Sequence, residues 1–317
     1  MIALPITDTS QSFAAGNHET AVHFVTPTGS LKALSGGPYA VVTDQLSGFL
    51  GYIVDKSHDT GWFLQRWDGQ GLAVGRTEPM PSTNRIIANP LGGAVVWTLE
   101  RGQQIQSYDE NLKLRWRAAL GGWGPAALAV DRAGRTLALF DSDPDKGGWK
   151  AVDGQWFDLD GTPGPIFRVL GPQSDWAHDL DVKLAQRVGS GFFLAVSGTW
   201  VAEIDSLATS VMDAPPWLRD RRNTRLHMIH GGRGYAVLPE VGVDPSVDCA
   251  HHVEVVAPSG TSCGTAVFSA GSGACQMQEI TVGHDGTVIQ QFPYTSERQC
   301  STASCTCTWQ WWPGFFR

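Results

Sequence analysis

Three carboxylates at alternate positions, in Asp141-Ser-Asp143-Pro-Asp145-Lys-Gly147-Gly148, are the sharpest chemical signal in this chain. Calcium takes about six to eight oxygen ligands on a tightly curled backbone, which alternating aspartates followed by glycine can supply. The pattern departs from the familiar calcium loop because glycine comes one place late and no glutamate closes it. Asp153, Asp158 and Asp160, on the hairpin that follows, are the groups nearest in sequence that could complete a shell. Calcium is therefore the one cofactor suggested at Asp141, Asp143 and Asp145, against the plainer reading of a solvated acidic connector.

Two further constellations could touch a ligand. Asp175-Trp176-Ala-His178-Asp179 falls in a connector entering a strand, where an aromatic ring and an imidazole, Trp176 and His178, could face a binding mouth. Arg219-Asp-Arg221-Arg222-Asn-Thr-Arg225, just after Trp217, is the single basic run. Trp217, Arg221 and Arg222 are its candidate contacts for an anionic ligand, with a solvated connector as the alternative. His227 and His230 make a poor chelate, because on a strand they point to opposite faces. No nucleophile elbow or phosphate loop is visible, and Gly189-Ser-Gly191 reads as a hairpin turn.

All six cysteines, Cys249, Cys263, Cys275, Cys300, Cys305 and Cys307, fall near the C-terminal end. An even number in loop-rich sequence suggests up to three disulfides and an oxidising compartment. Zinc sites favour thiolates in C-x2-C pairs, and Cys305-Thr-Cys307 has the wrong spacing. Connectivity stays open.

These groups must be positioned by strands. One phrase recurs along the chain: an apolar strand, a turn built on Asp, Asn, Gly or Pro, and a second apolar strand. It appears at Ala21 to Leu34, Trp62 to Arg76, Ile105 to Arg117 and Gln155 to Leu170, then at Trp200 to Met212, Val253 to Phe268 and Thr306 to Arg317. Between these lie six inner hairpins of small and branched residues: Tyr39 to Asp55, Arg85 to Leu99, Ala126 to Phe140, Val182 to Ser197, Arg225 to Leu238 and Gln278 to Phe292. Ile2 to Ile6 and Ser12 to Ala15 read as a weakened seventh inner pair. Such a repeat predicts an all-β chain folded as a single β-propeller domain over 1–317, with a Cys-rich closing region at 249–317. Seven blades are expected, with six as the alternative. The 13 tryptophans are expected to plug blade-to-blade contacts.

Charged residues make up 17% of the chain and the net charge is -8, which argues against a nucleic-acid partner. No apolar run is long enough to span a bilayer, and Met1 to Ile6 is too short for a secretory signal. If the cysteines are oxidised, a targeting or lipid-anchor signal is expected to lie outside this sequence.

The Asp-Gly turns, together with Val130-Asp-Arg-Ala-Gly134 and Val282-Gly-His-Asp-Gly286-Thr-Val288, resemble the extracytoplasmic propeller repeats of bacteria. The Cys-rich stretch ending in Trp309-Gln-Trp-Trp-Pro-Gly-Phe-Phe-Arg317 is similar to that of uncharacterised secreted or lipoprotein propellers. That resemblance implies an envelope, surface or secreted location and no assigned chemistry. The expected function is non-catalytic binding or scaffolding of a protein or glycan partner at the cell surface. The alternative is a metal-assisted hydrolase or lyase in the central funnel, drawing on Asp44, Asn89, Asp131, Asp181, His227 and His284.

Overall fold

A computed structural model describes residues 3–6, 21–25, 31–34, 41–44, 48–55, 61–81, 83–98, 104–120, 123–141, 151–171, 181–206, 209–229, 232–239, 251–268, 279–282, 288–292, 308–312 and 315–316. Within them every sheet is antiparallel and takes its strands from one continuous stretch of chain. Blade 1 comprises β4 (Val41–Asp44), β5 (Gly48–Asp55), β6 (Gly61–Trp67) and β7 (Ala73–Arg76), after β1 (Ala3–Ile6), β2 (Ala21–Val25) and β3 (Leu31–Ala33). Blade 2 comprises β8 (Thr83–Ala88), β9 (Ala94–Thr98), β10 (Gln104–Tyr108) and β11 (Leu114–Ala119). Blade 3 comprises β12 (Trp123–Val130), β13 (Thr136–Asp141), β14 (Val152–Phe157) and β15 (Pro163–Leu170). Blade 4 comprises β16 (Val182–Gln186), β17 (Phe192–Val196), β18 (Thr199–Ile204) and β19 (Val211–Asp213). A short helix, α1 (Pro216–Arg219), leads into blade 5, made of β20 (Thr224–Ile229), β21 (Gly234–Pro239), β22 (His251–Val256) and β23 (Ser262–Phe268). The chain continues through β24 (Glu279–Val282), β25 (Val288–Phe292) and β26 (Thr308–Trp312).

The first strands of consecutive blades, β4, β8, β12, β16 and β20, lie side by side in chain order, as in a β-propeller. The expected count of seven blades, or six, is corrected to five four-stranded blades among the described residues. The two end sheets hold three strands each among the described residues, β1-β2-β3 and β24-β25-β26. At the N-terminal side β1 pairs directly with β2, and Ser12 to Ala15, read as the other half of a weakened inner pair, lies outside the described residues. At the other end, Thr306 to Arg317 supplies one described strand, β26, where a hairpin was read. A recurring apolar phrase counts strands that can form but does not say how many each sheet receives.

The second strands β9, β13 and β17 are buried throughout, and β21 at all but its last residue. A strand covered by a blade on either side carries a continuous apolar run in place of alternation, as in Phe192-Phe-Leu-Ala-Val196. Outer strands lie at the rim, and all four residues of β7 are exposed. Adjacent blades are joined by aromatic stacking. Trp116 on β11 stacks on Phe157 of blade 3 with ring centroids 6.0 Å apart, and Trp156 on β14 stacks on Phe192 of blade 4 at 5.9 Å. Such pairs are worth roughly 0.5–1.5 kcal/mol beyond the area they bury.

The hairpin turns share one construction. At Asp131 the backbone N–H donates to Arg135 O at 2.9 Å, and the carboxylate accepts from the Arg135 N–H at 2.9 Å. Gly134 in the fourth position takes φ +83°, which favours glycine. Asp68 and Asp109 accept backbone N–H bonds in the same way, two each. At Asp109 the fourth position is Leu112, with φ +61°. A leucine there carries strain of about 1 kcal/mol or more. Its side chain is buried in the apolar cluster between blades 1 and 2, which offsets that cost.

Candidate functional site

Leu112 stands at the floor of a cleft of about 760 Å³ between blades 1 and 2. Strand alternation sends Gln104, Gln106 and Tyr108 of β10 to the face lining this cleft, while Ile105 packs toward blade 3. The Tyr108 hydroxyl donates to Gln106 Oε1 at 2.6 Å, which fixes both side chains. Burial raises the Tyr108 pKa, opposed by the positive charge of Arg117.

The opposite wall is the connector from β7 to β8. Its backbone runs back along β6: Thr77 N–H donates to Leu64 O at 2.9 Å and Met80 N–H to Trp62 O at 2.8 Å. Thr77 Oγ1 accepts from the Leu64 N–H at 3.1 Å. Pro79 and Pro81 carry no N–H, so residues 79–81 offer the cleft no backbone donor. Met80 is buried against Tyr108 and Leu112 in the cluster beneath.

Charge on the cleft is lopsided. Arg76, Lys113 and Arg117 line it against one carboxylate, Glu78. The neighbouring acids are already engaged. Asp109 accepts the Asn111 and Lys113 N–H groups, and Glu110 pairs with Arg115 at 3.1 Å. Arg66 Nη1 donates to Glu110 O at 3.2 Å and ties blade 1 to that turn. Lys113 and Arg117 make no ion pair among the described residues. Leu114, 41% exposed, edges the opening. This cleft was not anticipated. Its signals were the alternation Gln104-Ile-Gln106-Ser-Tyr108 and the Pro79-Met-Pro81 connector.

Trp217 and Arg221, by contrast, are packed between blades 4 and 5. Trp217 stacks on Tyr235 at 5.8 Å and meets Phe193 edge-on at 5.9 Å. Arg221 lies 5.6 Å from the Trp217 ring centroid, donates to Trp217 O, and grips Glu254 through two bonds of 2.8 and 2.6 Å. Those bonds hold the Glu254 carboxyl below its ordinary pKa. Arg222 is exposed on the same connector. Of the three, Arg222 is exposed, and Trp217 and Arg221 are partly buried.

Asp141 closes β13 and is buried. Asp153 pairs with Arg168 at 2.6 Å, and Asp160 accepts the Thr162 N–H at 2.9 Å. Asp158 and Asp160 follow the far end of β14, about 20 Å from Asp141 for a six-residue strand, so they are not its neighbours. Asp143, Asp145, Trp176, His178, His230 and His284 lie outside the described residues, as do Cys249, Cys275, Cys300, Cys305 and Cys307. Cys263 is an exposed free thiol on β23. Of the funnel candidates, Asn89 and Asp131 serve as turn acceptors, and Asp181 pairs with Lys183 at 2.8 Å. Among the described residues no three His, Cys, Asp or Glu side chains come together as a metal site, and no helix is long and apolar enough to cross a membrane.

No family model matches the chain, and no curated protein does. Solved structures do. A prolyl endopeptidase superposes with TM-score 0.55 at 9% identity, covering 92% of this chain and 43% of its own. The β-propeller domain of the Trilobed protease from Pyrococcus furiosus gives 0.53 at 8% identity, covering 86% and 80%. Prolyl oligopeptidase B from Galerina marginata gives 0.50 at 8% identity, covering 88% and 46%. The chain spans less than half the length of these two prolyl peptidases. At such identities the likeness shows the β-propeller fold alone.

Proposed function

We propose that this chain is a non-catalytic recognition or scaffolding propeller whose partner is a protein, held at the cleft between blades 1 and 2. The observation that carries this reading is the cleft itself, with polar side chains of β10 along it, Lys113 and Arg117 without ion pairs among the described residues, and an exposed Leu114 at its edge. A glycan site calls for an exposed aromatic platform. Among the described residues Trp67, Trp97, Trp116, Trp156 and Trp200 are buried, Tyr108 is 6% exposed, and the exposed Phe315 does not line the cleft. The exposed large side chains on the outer strands are aliphatic: Val74, Leu114, Ile166, Met212 and Val267. Apolar groups rimmed by charge suit a protein surface.

The extracytoplasmic location belongs to the same proposal and is supported by the clustered cysteines and the resemblance to bacterial envelope propellers. Non-reducing mass mapping tests it, with at least one bridge expected among the five cysteines other than Cys263. For the binding role, random peptides displayed on phage are selected on the purified chain and counter-selected on Leu114→Asp. Enrichment of peptides that need Leu114 is expected. Absence of such enrichment, together with signal on a glycan array, would overturn the protein-partner reading.

A further inference from the structure

The cleft between blades 1 and 2 has a lining with the periodicity of a strand. Gln104, Gln106 and Tyr108 stand at every second residue of β10, a spacing of roughly 7 Å along the strand. An extended peptide repeats its own side chains at that interval, so the floor and such a peptide are commensurate. The amides of Gln104 and Asn111 each carry a donor and an acceptor, and Gln106, whose Oε1 accepts from Tyr108, adds its N–H donors, which matches the alternating N–H and C=O groups of an extended backbone. The wall at 79–81 offers no backbone donor, so the donors for a bound main chain come from these side chains.

Charge selects further. Lys113 and Arg117 line the cleft without ion pairs among the described residues, because Asp109 is held by its own turn and Glu110 by Arg115. On a chain of net charge -8 this local excess of cations is an exception. We infer that the cleft takes an extended segment of a partner protein in which carboxylates alternate with aliphatic side chains, the carboxylates meeting Lys113 and Arg117 and the aliphatic groups meeting Leu114. The inference rests on the protein-recognition reading above and adds to it the chemistry of the recognised segment.

Fluorescence anisotropy on the full chain tests it with three labelled hexapeptides, alternating Glu-Leu, Gln-Leu and Lys-Leu. Glu-Leu is expected to bind and to weaken as salt rises. Gln-Leu, and Glu-Leu with the Lys113→Ala/Arg117→Ala variant, are expected to bind at least about tenfold more weakly, the size of one charge-assisted contact. Charge reversal, Lys113→Glu/Arg117→Glu, is expected to transfer preference to Lys-Leu, a gain that a misfolded protein cannot give. Equal binding of Glu-Leu and Gln-Leu, both lost in Leu114→Asp, would overturn the acidic specificity and leave protein recognition standing. No peptide binding, with a labelled oligogalacturonate bound in its place, would overturn both.

Discussion

The seam between blades 1 and 2 and the seam between blades 4 and 5 occupy equivalent places in the repeat, yet one carries an open cleft above its apolar cluster and the other is filled. In the open seam the connector after β7 hugs β6 through Thr77 and Met80 and leaves space above β10. In the closed seam the connector after β19 turns through α1, whose Pro216 opens a single helical turn, and drops Trp217 between Phe193 and Tyr235. The Gly260 turn of blade 5 approaches the same ring so closely that a Cβ there would stand 2.1 Å from it. Blades are thus interchangeable in outline, and the connectors decide where a ligand can enter. In a repeat protein the departures from the repeat hold the specificity.

The largest effect on this contrast is expected from Trp217→Ala. Removing a large ring from an interblade plug should lower unfolding free energy by about 3 kcal/mol, read by urea denaturation. A loss under about 1 kcal/mol would mean that the seam is closed by something other than this ring. A smaller effect is expected from Glu254→Gln, about 0.5–1 kcal/mol for a pair that is partly exposed. Its pH dependence has a definite sign. Arg221 holds the folded Glu254 carboxyl below its ordinary pKa, so the unfolded chain binds the extra proton first as pH falls. The advantage of wild type over Glu254→Gln is therefore full above the ordinary carboxylate range and disappears as pH drops through the folded value. Unfolding midpoints of the two proteins that fail to converge in acid would break this assignment. The smallest effect is expected at the open seam, where Leu114→Ala should change stability by less than about 0.5 kcal/mol because Leu114 rests on the surface. A larger loss in thermal melts would make Leu114 a packing residue and remove it from the recognition edge.

The hairpins were legible because their information is local. Asp131-Arg-Ala-Gly134 carries its acceptor and its left-handed glycine within a few residues, and the structure places β12 and β13 on either side. The same holds at Asp68 and Asp160. The number of blades was not local, since it depends on which sheet each terminal strand joins, and Ala3–Ile6 joined β2. The partner of Arg221 was hidden for a related reason. Arg221 finds Glu254 across 33 residues, and nothing near Arg221 in the sequence announces that carboxylate. The cleft stayed hidden because it is a space left by the route of residues 77–81, and an absence of side chains has no letter in a sequence. Leu112 hinted at it: a leucine where sister turns carry glycine marks a turn that needs a buried side chain, and Leu112 fills the cluster below the cleft.

That each described sheet draws its strands from consecutive sequence also governs how the molecule comes into being. Blade 1 can be complete before the ribosome has synthesised blade 3, and each later blade needs only to dock on a surface already formed. Long searches for distant strand partners, which slow many β-proteins, are replaced by hairpin closure and nearest-neighbour docking.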